Sequence, residues 1–502
     1  MKASRAGRRK AGGAALLLAL ALLGGCRQNP GGEVDALVIG ERLPRIADPS
    51  SASLTPGDLV LVENAAQGLV GFDSGGNIVP ALAERWAVSD DGLSYVFRLR
   101  SAEWSEGRKV RARDVVRLLE RHFAKAGRNP LRDSVGAIDQ VVAMTDRVVA
   151  IELSAPRPHL LQLLAQPEFG LVRERRGTGP FAVEAKNSTL LLTRTLPGFD
   201  GDEGSREQVR LGAAAADAAI ANFVAGKAEL VLGGTIADLA LAQQARLPRG
   251  SLRIDPVAGL FGLVPARKDG PLADPAVRAL LDETIDRAAL VAALGVPDLQ
   301  PRTSLLQLGL DGVTAPAEPA WTGVPLANRR EDIIARARML FPRASGAQEP
   351  PTLEPAPELR VALPPGRGGE IILRRLQADW GPLNLSVVAA KPGQRADLRW
   401  VDEVAPSTSP AWFLRSFRCD FVPVCDPDAD RLLDAARLTG FAPQRVAFFA
   451  EAERRMREAV LFMPVAAPVR WSLAARGISG FQENRFARHP LTGLRERPAS
   501  RD

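Results

Sequence analysis

"GLVGFDSGGNIVPALAERWAVSDDGLSYVFRLRSAEWSEGRKVRARDVVRLLER", residues 68–121, holds the densest run of local signals in this chain of 502 residues. Within it Ser94–Arg100 alternates, with Tyr95, Phe97 and Leu99 on one face and Arg98 and Arg100 on the other. That period of two predicts a half-buried antiparallel strand. The strand is entered by "SDDG", residues 89–92, whose residue types favour a tight turn. Residues 112–126 switch to a helical period, with Val115, Leu119 and Phe123 four apart along one stripe. A strand followed by an amphipathic helix points to mixed α and β structure.

The same mixture continues outward. "VDALVIG", residues 34–40, reads as a buried strand, and "RVVAIEL", residues 147–153, as another alternating one. "GTGPF" at 177–181 punctuates the chain before the strand "TLLLTRT". Asp274-Pro275 is a helix start, an acidic N-cap followed by proline, with helix expected to residue 294 and a break near Asp286. Residues 342–370 are rich in Pro and Gly and predict loops around one short strand at 358–363. Within them "GRGG", 366–369, reads as a flexible loop, since it lacks the Lys and Ser/Thr of a phosphate-binding loop. Residues 370–389 predict a helix then a strand, and 443–459 a long helix before the proline-interrupted strand "LFMPVAAPV". Strands and helices do not alternate strictly and no fixed repeat appears.

The N-terminus sets the compartment. Five of the first ten residues are Lys or Arg, and the apolar run that follows, Ala14–Leu23, is too short to span a membrane. It reads as an export signal. Its end, Leu23-Gly24-Gly25-Cys26, resembles a bacterial lipobox, which implies cleavage after residue 25 and acylation of Cys26. Two or three acyl chains give lasting attachment, and residues 26–35 form a short tether. Of the formal +7, the first 25 residues carry +5, so the processed chain keeps about +2. No basic stripe interleaved with aromatics is present, so nucleic acid is not an expected partner. Beyond Cys26 only Cys419 and Cys425 remain; in an exported chain they are expected to pair, the alternative being two free thiols.

Several stretches together resemble one family, the extracytoplasmic solute-binding proteins of peptide, dipeptide and nickel ABC importers. Residues 68–121 resemble its best-marked block; "GTGPFAV", "LADPAVRALLDETIDRAALVAAL", "LQADWGPLNLSVV" and "EAERRMREAVLFMPVAAPVRW…GISGF" follow in the family's order. The resemblance implies an α/β two-lobed periplasmic-binding-protein fold with mixed sheets and an extra inserted subdomain. On that pattern residues 1–25 are signal, 26–35 tether, and 36–268 lobe I with 71–178 inserted, completed by 472–502. Lobe II would be 269–471. The implied partners are a small solute, a peptide above all, together with ABC permease and ATPase subunits and the membrane through the anchor. A monomer without cofactor is expected.

In peptide-binding members a tryptophan precedes by three residues an acid that pairs with the peptide α-ammonium. Here Trp400 precedes Glu403, with Asp402 adjacent, so either acid is a candidate and Trp400 and Trp412 are candidate aromatic walls. The sequence departs from the pattern: the acid is Glu rather than Asp, the stretch to Phe413-Leu414 is longer, and Val264-Pro265 stands where relatives carry an aromatic–Asn pair. Proline lacks a backbone donor, which predicts a lost hydrogen bond at the lobe crossover. Trp86, Trp104, Trp380 and Trp471 read as core. His122, His159 and His489 lack metal-ligand spacing, "DPDAD" at 426–430 reads as a helix cap, and no nucleophile elbow occurs, so enzyme chemistry is not expected. Two functions follow: a transport receptor, or a lipid-anchored sensory or surface protein that keeps the fold without import. Arg27 after Cys26 bears on the choice, because it is not the aspartate that retains many lipoproteins at the inner membrane.

Overall fold

The computed structural model describes residues 32–104, 107–196, 205–341 and 357–495; the segment read as an export signal and Cys26 lie outside them. Of the four sheets among the described residues, three organise the chain; the fourth is the hairpin Val70–Phe72 with Ile78–Pro80. The first has seven strands in the order Leu252–Ile254, Arg470–Ala474, Leu230–Thr235, Glu33–Ile39, Arg206–Ala214, Thr189–Thr195 and Ala182–Lys186. It is mixed: Glu33–Ile39 runs parallel to both its neighbours, while the outer pairs are antiparallel. Val34, Ala36 and Val38 of that central strand are buried on one face, as the period of a strand requires.

A four-stranded antiparallel sheet, in the order Ala83–Val88, Ser94–Leu99, Val148–Leu153 and Ile138–Thr145, forms the unit read first from the sequence. Tyr95, Phe97 and Leu99 pack with Val115, Leu118 and Leu119 of the helix Ala112–Phe123 in one apolar cluster. His122 on that helix is fully buried and donates from Nε2 to Gly170 O at 3.1 Å, and burial lowers its pKa to about 4. It holds packing in place and stays neutral.

The third sheet has the order Ser386–Ala389, Glu358–Ala362, Leu398–Val404, Gly259–Pro265 and Met463–Pro464. The strand Gly259–Pro265, placed in lobe I from sequence, hydrogen-bonds wholly within this sheet. The chain therefore crosses between the first and third sheets at residues 255–258 and returns at 465–469. Pro265 does not sit at that crossing. It ends its strand, opposite Leu398, and the next donor, Ala266 N, reaches Asp397 O at 2.8 Å, so the missing N–H interrupts nothing.

The helix starts follow their caps. Asp274 accepts from Ala276 N at 2.8 Å, Asp286 from Ala289 N at 2.9 Å, and Asp426 from Asp428 N at 2.8 Å, opening Pro275–Thr284, Arg287–Leu294 and Pro427–Leu438. "GRGG" is not a loop: it is the first turn of the helix Gly366–Trp380. A Cβ on Gly368 would meet Ile236 O at 2.1 Å, so the glycines serve close approach to the neighbouring helix Ile236–Gln244. Trp104, Trp380 and Trp471 are core residues no more than 1% exposed, and Trp86 is half-buried. No helix among the described residues is long and apolar enough to cross a membrane.

Glu63, on the helix Pro56–Ala65, is a strained point in this framework. Its Oε1 is buried without a partner. Burial raises its pKa to about 7; Arg488 and His489 oppose the rise and Glu168 adds to it. The folded chain thus holds this proton more tightly than the unfolded chain. The associated stability is complete below the unfolded value of 4.5 and lost as pH rises through 7. Glu63→Gln should therefore raise stability by on the order of 2 kcal/mol at about pH 8 and leave it unchanged at about pH 4.5. Urea unfolding at both values checks this; the same difference at each would refute it.

Candidate functional site

The strand Leu398–Val404 sorts the candidate residues by its period of two. Trp400 and Asp402 share one face, and Arg399, Val401 and Glu403 the other. On the first face Trp400 is 5% exposed and meets Phe261 edge-on, ring centroids 4.9 Å apart, inside the apolar core. Asp402 accepts from Arg470 at 2.7 Å, and Arg470 also donates to Asp402 O at 3.0 Å. Burial raises the pKa of Asp402 and the arginine opposes the rise. Trp400 is thus a core residue and Asp402 an ion-paired one.

Glu403 stands apart from both. With Leu260, Val264 and Arg399 it lines a cavity of about 260 Å³ whose other lining residues include Asp133 and Ser134. No cation among the described residues lies within ion-pair distance of its carboxylate. Its pKa is raised, first by loss of solvation and then by Asp402, with Arg399 the larger opposing influence and Arg470 the smaller. A carboxylate reluctant to ionise and lacking a partner is a natural acceptor for a cation brought by a ligand.

A larger cavity of about 310 Å³ adjoins the first, and Ser134, Trp412 and Arg415 line both. Trp412, on the short helix Pro410–Arg415, is half-buried and held edge-on by Phe413 at 5.0 Å. The second wall of the larger cavity is Pro156–Leu160 with Leu163, next to the four-stranded sheet. Contacts across the crevice hold the walls together. Gln166 Nε2 donates to Pro406 O at 2.8 Å, Thr408 N to Gln162 Oε1 at 2.9 Å, and Arg157 to Arg437 O at 2.9 Å. His159 faces Asp311 at 3.5 Å.

Cys419 and Cys425 are joined as a disulfide, Cα atoms 5.1 Å apart. The loop between them carries Phe421 and Val422 into the smaller cavity. Glu403 and Trp412 are thus brought to one crevice, and Trp400 and Asp402 are not. What the sequence did not announce is the set of arginines in the larger cavity: Arg157, Arg415, Arg418, Arg437 and Arg445. Among the described residues no group of three His, Cys, Asp or Glu side chains could hold a metal ion.

Known proteins share this architecture. Residues 77–344 match the family model described as bacterial extracellular solute-binding proteins, family 5 Middle. The chain is 25% identical to the probable di/tripeptide-binding protein 5 of Pseudomonas aeruginosa over 480 residues, covering 84% of this chain and 88% of the other. Among solved structures it is similar to the Escherichia coli murein tripeptide binding protein MppA, with a TM-score of 0.73 at 19% identity, covering 92% of this chain and 97% of that one. It is equally similar to Haemophilus influenzae OppA in complex with RPPGFSPFR, TM-score 0.73 at 16% identity over 92% and 98%. With more than half its length matched by the family model, the chain belongs to the bacterial extracellular solute-binding proteins of family 5, a receptor for a solute and not an enzyme.

Proposed function

We propose that this receptor serves an ABC importer, closing two lobes over a short peptide and passing it to permease and ATPase subunits while lipid on Cys26 holds it at a membrane. The lobes divide where strand membership changes, at residues 255–258 and 465–469. One contains the seven-stranded sheet with the four-stranded subdomain, the other the five-stranded sheet. Motion of one lobe against the other opens the crevice, and a ligand favours closure through contacts made only in the closed form.

The observation that carries this reading is the crevice itself. Its two adjoining chambers, about 260 and 310 Å³, together fall in the range of small-ligand sites and open between segments from the two lobes. Its wall presents an unpaired carboxylate at Glu403 for an ammonium and Trp412 for apolar contact. The relatives named as peptide-binding support the choice of ligand class.

Native mass spectrometry of the protein purified from its own cells tests it. A ladder of peptide masses released on denaturation is expected. A ligand-free mass, together with no heat on titration with a library of short peptides, would overturn the peptide assignment.

A further inference from the structure

The larger chamber carries more positive charge than an uncharged solute needs. Arg157 projects from one wall and Arg415, Arg437 and Arg445 from the other. Of the chamber's other charges, Arg418 is matched by Asp434, to which it donates at 2.6 Å, while Asp311, exposed and 3.5 Å from a His159 whose pKa burial lowers, is one carboxylate against four guanidinium groups. Among the described residues no carboxylate lies within ion-pair distance of the other four guanidinium groups. Arg157 donates to Pro156 O at 2.9 Å and to Arg437 O, Arg437 donates to Gly136 O, and Arg445 reaches Thr439 O at 3.4 Å. Carbonyls satisfy some N–H groups but leave the charge.

That charge is felt within the cluster. Burial brings the Arg157 pKa down to about 10, and Arg445, Arg437 and Arg415 push it the same way. Arg415 is lowered by burial, then by Arg437 and Arg418, with Asp133 and Asp434 opposing. Like charges gathered in a partly desolvated chamber repel one another unless an anion enters. A guanidinium offers paired donors in a fork that fits a carboxylate, so several together favour more than one acidic group. Leu160, Leu163, Trp412, Val446 and Phe449 line the same chamber, so its occupant also has an apolar flank.

We infer that the larger chamber selects solutes that carry two or more acidic groups beside an apolar part. On the reading proposed above, which this inference deepens, the solute is a peptide with acidic side chains. Glu403 in the adjoining chamber would then face its ammonium end, so the crevice is polarised along its length.

Calorimetric titration with Ala-Leu-Glu-Glu and Ala-Leu-Gln-Gln compares two peptides of near-equal shape. The acidic one should bind about 30-fold more tightly at low salt, and the ratio should fall several-fold at about 150 mM salt. Arg415→Gln and Arg445→Gln should each bring the ratio below about threefold without lowering the melting temperature of the ligand-free protein, because each removes a repelled charge. Equal affinity for the two peptides, or a ratio that survives both substitutions, overturns the inference and leaves peptide binding standing. If neither peptide binds, pimelate, an apolar chain with two carboxylates, separates the claims. Pimelate binding lost in Arg415→Gln supports the anion-binding chamber while the peptide reading falls, and no pimelate binding overturns the chamber as well.

Discussion

Asp282→Ala should lower the unfolding free energy by about 3–5 kcal/mol, the cost of leaving a buried cation without its partner. Asp282 lies on the helix Pro275–Thr284 and is fully buried. Its two oxygens accept from Arg287, at the start of the next helix, and from Arg457 on the long helix Ala442–Glu458. Both arginines are buried, and burial lowers the pKa of Arg287 despite the carboxylate beside it. Arg287 also donates to Pro464 O at 2.7 Å, so the cluster ties three helical segments to the edge strand of the five-stranded sheet. Without the carboxylate two guanidinium groups face each other in the interior. Asp282→Asn keeps an acceptor of the same shape and should cost less than alanine. Urea unfolding followed by circular dichroism measures both. A loss below about 1 kcal/mol for alanine would show that water or rearrangement replaces the carboxylate, and the cluster would not be a keystone of this lobe.

The local elements were legible because their signals are short-range. Tyr95, Phe97 and Leu99 announce a strand through a spacing of two, and Asp274, Asp286 and Asp426 announce helices by capping them within three residues. Sheet membership was not. Every residue of Gly259–Pro265 is buried, so the strand has no alternation by which to tell its surroundings, and its assignment to the five-stranded sheet depends on partners more than a hundred residues away. "GRGG" misled for a related reason. Its glycines answer to the backbone at Ile236, which no local window contains.

The site divides along the same line. The stretch from Trp400 to Arg418 did contain crevice residues, yet the spacing of three that links Trp400 to Glu403 sends them to opposite faces once the segment is a strand. The anion-binding chamber was invisible because Arg157 lies more than 250 residues from Arg415 and meets it only through packing. Sixty-five Lys and Arg residues offer no local clue to which few converge. Their lack of acidic partners is a property of the folded chain alone.

Glu403→Gln should weaken a peptide with a free amino terminus roughly 10- to 150-fold, the worth of one charge-assisted hydrogen bond once the ligand covers this exposed carboxylate. Glutamine keeps the size and one acceptor and removes the charge. Asp402→Asn is the contrast: its carboxylate is already engaged by Arg470 on the opposite face, so that change should act on stability with little effect on affinity. Because the Glu403 carboxyl has a raised pKa, acidification should weaken binding at a higher pH than for an ordinary glutamate, and Glu403→Gln should abolish that dependence. The decisive arrangement is a cycle with the N-acetylated form of the same peptide. If the carboxylate meets the ammonium, acetylation and Glu403→Gln remove one interaction, and applying both costs little more than either alone. If the two losses add, Glu403 acts elsewhere in the crevice, and the peptide amino terminus finds another acceptor.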